Sequence, residues 1–240
     1  MSALPIRLQH RQDIAHGTMA LRFDKPPGFS FKPGQAIDLI LSDPAVVDTE
    51  SARHAFSIVS APHEGTLEIA TRMRDSAFKN ALARLAIGGE AQIDGPFGSL
   101  TLHNKLERAA VFVAGGIGIT PFMCMLRHAA HLGLQQRLVL LYSNRRPEDS
   151  AFLTELQRLE GENPNFRLVP TMTQMGASRL PWTGTTGVID AALLKKISAE
   201  LRDPIYYVAG PPAMVSGLRE TLEAAGVDAD DIRSEEFYGY

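Results

Sequence analysis

The stretch Val111-Phe112-Val113-Ala114-Gly115-Gly116-Ile117-Gly118-Ile119-Thr120-Pro121 decides how this chain is read. An apolar strand runs into closely spaced glycines, and an amphipathic segment follows over 122–130. Glycine lets a backbone turn tightly and lets a bulky anion approach its amides. A helix beginning after Thr120-Pro121 offers free N–H groups and the positive end of its dipole. The stretch predicts a strand–turn–helix corner suited to a dinucleotide. Its spacing is not Gly-x-Gly-x-x-Gly, so the usual Rossmann fingerprint is absent. The same unit also serves close packing alone, so the rest of the chain must choose between the two.

Toward the C-terminus, apolar runs at 109–114, 138–142, 166–170 and 205–209 read as strands. Helical patterns at 122–132, 150–160, 191–196 and 212–225 alternate with them. That alternation predicts a parallel sheet covered on both faces. Toward the N-terminus, short runs at 5–9, 18–23, 36–41, 55–59, 67–72 and 91–93 are separated by turns such as Pro26-Pro27-Gly28 and Lys32-Pro33-Gly34. That spacing predicts a small antiparallel β-barrel. One helical piece interrupts it at 77–85, with Phe78, Leu82 and Leu85 on one side. The character changes within the polar run His103–Arg108, which divides the chain into a barrel domain over 1–103 and an α/β domain over 108–240.

Composition narrows the function. The 240 residues are 45% apolar and carry a net charge of −3 without a basic block. Nothing points to nucleic acid or to an anionic membrane surface. No run approaches the roughly 18 apolar residues of a membrane span. The first residues lack the apolar core of a signal peptide, so a cytoplasmic location is expected. Cys124 stands alone, which excludes an intrachain disulfide and a cysteine-ligated iron–sulfur cluster within this chain. It reads as a small buried residue. His63, His103, His128 and His131 read as surface side chains, and no metal site is expected. No nucleophile–base or paired-carboxylate pattern is visible.

The order of the pieces resembles the ferredoxin–NADP reductase superfamily of flavoenzymes. The motifs that carry the resemblance are Pro33-Gly34-Gln35, His54-Ala55-Phe56-Ser57, Gly95-Pro96-Phe97-Gly98, the glycine corner at 115–121 and Gly210-Pro211-Pro212. The resemblance spans nearly the whole chain. It implies a flavin-binding barrel, a nicotinamide-nucleotide domain, and hydride transfer from NADH or NADPH to flavin. It also implies a separate electron acceptor: a ferredoxin, a flavodoxin, an oxygenase component, or a small oxidant such as a ferric chelate or free flavin. A non-catalytic flavin-binding electron-transfer subunit is the alternative. Oligomeric state is left open.

By resemblance, Phe56 packs on the isoalloxazine and Ser57 hydrogen-bonds near its N5. The family's usual Arg-x-Tyr-Ser has arginine on the flavin phosphate; here His54 takes that place with Arg53 beside it. Imidazole lacks the planar guanidinium fork. Ala70-Thr71-Arg72 and the helix start at Ala77, Phe78 and Lys79 are expected to wrap the pyrophosphate, which favours FAD over FMN. Lys79 stands where serine or threonine is common, as a phosphate ligand or a solvated surface charge.

Gly115, Gly116, Ile117 and Thr120, with Gly210 and Pro211, are expected to hold the nicotinamide nucleotide. Ala209 replaces the family's cysteine. Gln174 stands where NADPH users commonly carry arginine, which leans the reading toward NADH. Arg145 and Arg146 are alternative partners for a 2′-phosphate. Near the chain end, Glu236 is expected to relay protons, and Phe237 or Tyr238 to cover the flavin, with Gly239 and Tyr240 following.

Overall fold

The computed structural model describes residues 3–42 and 52–238. Strands β1 (Leu4–Ala15), β2 (Thr18–Asp24), β3 (Ala36–Ile40), β4 (Arg53–Ser57) and β5 (Thr66–Arg72) come first, then helix α1 (Ala77–Arg84) and strand β6 (Glu90–Phe97). They form a six-stranded antiparallel sheet in the order β4-β3-β6-β1-β2-β5. Beyond β4, the Val59 N–H donates to the Glu68 carbonyl at 2.8 Å and so joins the two outer strands. Leu8, Leu21, Phe23, Ile37, Leu39, Ile69 and Ile93 fill the interior. The first strand is longer than its apolar run suggests. Its polar second half is held by pairing with β2, as in Arg11 opposite Leu21 and Asp13 opposite Met19.

The second half continues with β7 (Ala110–Gly115), α2 (Thr120–Leu132), β8 (Leu138–Asn144), α3 (Leu153–Glu162), β9 (Phe166–Met172), β10 (Thr185–Thr186), α4 (Ala191–Ser198), β11 (Ile205–Gly210), α5 (Pro212–Ala224) and β12 (Ile232–Glu236). These strands form a parallel sheet in the order β10-β9-β8-β7-β11-β12. Phe112, Leu140 and Tyr207 face one apolar cluster with Phe122 and Leu156, while Val111, Val139 and Val208 face the other with Leu194 and Leu218. Burial on both faces explains the near-continuous apolar runs.

Two departures from the expected elements have local causes. Helix α3 begins at Leu153 because Asp149 is drawn back onto the Arg146 guanidinium at 2.7 and 2.8 Å, and Phe152 turns to φ 60°. The segment 232–236, which carries no strand signal in the sequence, is an edge strand; pairing with β11 holds it although its sequence, Ile-Arg-Ser-Glu-Glu, is mostly polar.

Helix α2 joins the two halves. Gly34 lies at φ 96°, and a Cβ there would sit 2.1 Å from the Leu100 carbonyl oxygen and 2.3 Å from Met125 Cε. The Pro33-Gly34-Gln35 motif is thus a contact point against α2. Cys124 projects from α2 into the core of the antiparallel sheet, its Sγ 3.1 Å from the Ser60 carbonyl oxygen. Burial pushes its thiol up to about 12. Arg127 donates to Glu68 of β5 at 2.6 Å and to both carboxylate oxygens of Glu155 of α3 at 2.7 and 2.8 Å.

His103 is corrected from a surface residue to a buried one, 7% exposed. Its Nδ1 lies 2.7 Å from the Tyr207 hydroxyl, and the Gln136 amide reaches its Nε2 at 2.7 Å. Among the described residues, no helix is long and apolar enough to cross a membrane.

Candidate active site

A cleft of ≈ 390 Å³ opens where the two sheets meet. His54, Ala55, Phe56 and Ser57 of β4 line it with Ala70, Thr71 and Arg72 of β5 and Lys79 of α1. Ile117 and Thr120 enter from the glycine corner, and Phe237 and Tyr238 from the C-terminal segment. A larger groove of ≈ 840 Å³ near His63 and Arg158 is open, and its charged groups are already matched, Arg127 with Glu155 and Arg158 with Glu162.

The period of a strand sends neighbours to opposite faces. Arg53 accordingly leaves the cleft. Its guanidinium contacts Asp38 at 3.2 Å and Asp94 at 3.0 Å. His54 faces inward, its ring 4.1 Å from that of Phe78. Burial first, and the Lys79 ammonium second, hold the imidazole below its ordinary value, against the pull of Asp38. Phe78 does not line the cleft: it is 2% exposed and sits behind Phe56, ring centroids 6.0 Å apart. Ala77 is exposed at the start of α1, outside the lining.

Ser57 is the telling residue. It is 4% exposed, and its hydroxyl has no hydrogen-bond partner. A buried unpaired polar group costs about 1–3 kcal/mol. Here the orphan belongs to the cleft wall beside Phe56, which suits a planar ligand with a hydrogen-bonding edge and an apolar face.

The glycine corner lies at the switch point of the parallel sheet. From β7 the chain proceeds outward through β8 and β9 on one side, then returns to β11 and β12 on the other. Open α/β sheets bind ligands in the crevice at such a reversal. Gly116 sits at φ 54°, a left-handed position that suits glycine. A Cβ on Gly210 would come within 3.2 Å of Gly115, so the two corner strands close on each other. Pro211 precedes α5 with Pro212 in its first turn. The glycines have distinct duties: a Cβ at Gly118 would lie 2.3 Å from the Ala209 carbonyl oxygen, so this glycine serves packing.

The two candidate arginines also separate. Arg146 is taken by Asp149, with Glu148 at 3.8 Å. Arg145 is exposed just beyond β8, without an ion pair among the described residues, and its carbonyl accepts from the Gln174 N–H at 2.8 Å.

At the chain end, Glu236 is exposed and accepts a hydrogen bond from the Tyr238 hydroxyl. Glu235 was missed by the sequence reading. It pairs in register with Ala209 of β11, so the two share a face, and burial holds its carboxyl above the usual range. Recognising 232–236 as a strand would have separated the two glutamates by alternation. Gly239 and Tyr240 lie outside the described residues.

The comparisons with known proteins agree with this arrangement. The model of the oxidoreductase NAD-binding domain matches residues 112–220. The chain is 31% identical over 209 residues to ferredoxin–NADP reductase B of Sorangium cellulosum, covering 83% of each chain. It is 27% identical over 224 residues to the glycine betaine monooxygenase reductase subunit of Chromohalobacter salexigens, covering 92% of this chain but 60% of that protein. Among solved structures, a ferredoxin NADP+ reductase from Neisseria gonorrhoeae with bound FAD and NADP superposes with a TM-score of 0.82 at 23% identity, covering 98% of this chain and 99% of that one. An antiparallel sheet followed by a parallel one, a cleft between them and a glycine corner at the switch point thus coincide with the sequence match, and the chain belongs to the ferredoxin–NADP reductase superfamily.

Proposed function

We propose that this chain is an NAD(P)H-dependent flavoprotein reductase that passes electrons to a separate acceptor. The orphaned Ser57 hydroxyl in the cleft beside Ile117 and Thr120 of the glycine corner is the observation that carries this reading. FAD, when bound, supplies the exchange between two-electron hydride chemistry and one-electron transfer. The chain's own residues orient and shield. Phe56, braced by Phe78, offers an apolar face, and Ser57 donates a hydrogen bond to the ring edge. Thr71, Arg72 and Lys79, with the start of α1, receive phosphates, which favours FAD over FMN. Gly115, Gly116, Gly210 and Pro211 leave room for the nicotinamide nucleotide. Phe237 and Tyr238 exclude water. Glu235, rather than Glu236, is the carboxyl suited to holding a proton. The unit boundary falls between 103 and 108.

The chain spans 60% of the length of the glycine betaine monooxygenase reductase subunit and 57% of that of the Rhodococcus jostii propane 2-monooxygenase reductase component. Those names support an oxygenase component or a ferredoxin as the acceptor. A nicotinamide donor fits a cytoplasmic setting. The purified protein, loaded with FAD, is expected to show a flavin spectrum that bleaches on anaerobic addition of NADH or NADPH. A protein that retains flavin but never bleaches would be an electron-transfer subunit instead.

The nucleotide preference rests on Arg145. With Gln174 in the usual arginine place, NADH is expected to serve at least as well as NADPH. Any 2′-phosphate contact then falls to Arg145, since Arg146 is already paired. Arg145→Ala should lower kcat/KM for NADPH by about tenfold or more while leaving NADH nearly unchanged. A strong NADPH preference untouched by this substitution would remove Arg145 from the site.

A further inference from the structure

Three observations around α1 set Lys79 apart from the other cations of the cleft, Arg72, whose charge also bears on Asp149, and Arg74, which is exposed. Arg53 is spent on Asp38 and Asp94, on the far face of β4. His54 points inward but packs on Phe78, and its surroundings favour the neutral ring. Lys79 lies in the cleft wall with no carboxylate partner among the described residues. Its ammonium donates to the Thr71 hydroxyl and sits 4.7 Å from the centroid of Phe56. Ser76 caps α1 by accepting from the Lys79 N–H at 3.2 Å, so the lysine rises from the first turn of that helix. An ammonium set among a hydroxyl and an aromatic face, without a counter-ion, is half of an ion pair.

We infer that Lys79 is the cation that grips the phosphate of the bound flavin nucleotide, replacing a strand-borne cation that β4 does not supply. This rests on the flavoprotein reading above and adds to it a single point charge that moves the phosphate grip from β4 to α1. It makes retention of phosphorylated flavin depend on the protonation of one lysine. Burial brings Lys79 down to about 8. A phosphate beside it raises that value again. The ammonium form therefore binds, and affinity falls as pH climbs through the free protein's value toward the bound one. The other groups facing it are His54, Thr71, Arg72, Arg74, Asp75 and Tyr238. Asp75 accepts from Asn80 at 2.9 Å, and the lowered His54 titrates below the window of interest.

The test is equilibrium binding of FAD, FMN and riboflavin by flavin fluorescence, from about pH 7 to about pH 9.5. Wild type, Lys79→Met and Lys79→Arg are compared. At about pH 7, Lys79→Met should weaken FAD and FMN by about tenfold or more and leave riboflavin unchanged. Wild type should lose FAD affinity by about tenfold across the range, whereas Lys79→Arg should bind with a flat profile, since guanidinium does not titrate there. Riboflavin shares the ring proton of the nucleotides and so subtracts its contribution; its binding to Lys79→Met also reports that the cleft is intact. Unchanged FAD and FMN affinity in Lys79→Met, or equal loss of riboflavin, would overturn the inference and leave the flavin reading standing. Failure of the wild type to bind any of the three would overturn the flavin reading itself.

Discussion

Replacing Arg127 by methionine is expected to destabilise the protein by about 3–5 kcal/mol. The guanidinium is nearly buried, with its side chain 11% exposed, and it meets Glu68, whose side chain is 3% exposed. The remaining partner of Glu68 is Arg22 at 3.2 Å, a half-exposed side chain. Removing Arg127 therefore leaves a carboxylate in the interior with one cation whose charge is largely screened by solvent. Methionine keeps most of the volume, though not the guanidinium's place over the Phe152 ring, whose centroid lies 5.7 Å from Cζ. The loss is then chiefly one of charge pairing. Because Arg127 ties α2 to β5 of the antiparallel sheet and to α3, which packs on the parallel one, the denaturant transition should also broaden or split. Denaturant unfolding of Arg127→Met, and of the double variant with Glu68→Gln, measures both effects. The double variant should recover part of the loss, since it removes the stranded charge. A single variant within about 1 kcal/mol of wild type would show that the cluster behaves as an exposed salt bridge.

Gly118→Ala should be the more damaging of two alanine substitutions in the glycine corner, costing about 3 kcal/mol or more. Its Cβ would meet the Ala209 carbonyl oxygen at 2.3 Å and the Gly210 nitrogen at 2.7 Å, which are backbone atoms of a buried strand. They cannot retreat without breaking the β11 ladder. At Gly115 the nearest atom is Met214 Sδ, at 2.3 Å. A thioether side chain can turn away, and the next neighbour, Pro211 Cδ at 3.0 Å, needs to give by only a few tenths of an ångström, so Gly115→Ala should cost about 1 kcal/mol by comparison. Gly115→Ala should instead show itself in nucleotide use. Denaturation midpoints for the two variants provide the comparison. Equal midpoints would mean that the corner yields as a whole and that Gly118 is not a packing glycine.

The order of elements was legible because its signals are local. Period-2 runs marked the strands of the first sheet and continuous apolar runs those of the second, such as Val111–Ala114 and Ile205–Ala209. Glycine and proline marked the turns. The resemblance added the cleft side of β4 and the corner at 115–121. Polar edge strands were not legible. The β12 segment gives no strand signal, since an edge strand needs only hydrogen bonds to its neighbour and leaves no apolar trace.

Side-chain partnership was hidden for the same reason. Arg53 and His54 are adjacent in sequence and equal candidates for one phosphate; the pleat of β4 gives Arg53 to Asp38 and Asp94 and leaves His54 against Phe78. Arg145 and Arg146 are separated only by Asp149 folding back on the second of them. Gly115 and Gly118 look alike until β11 is placed behind them. The choice between Glu235 and Glu236 rests on register with Ala209 and Gly210. By itself, then, the sequence determined the elements, their order and the family, because backbone propensity and burial pattern are written residue by residue. Tertiary structure alone decided which cation lacks a carboxylate partner, which glycine is for packing and which carboxyl is the more sheltered, because each depends on a partner distant along the chain.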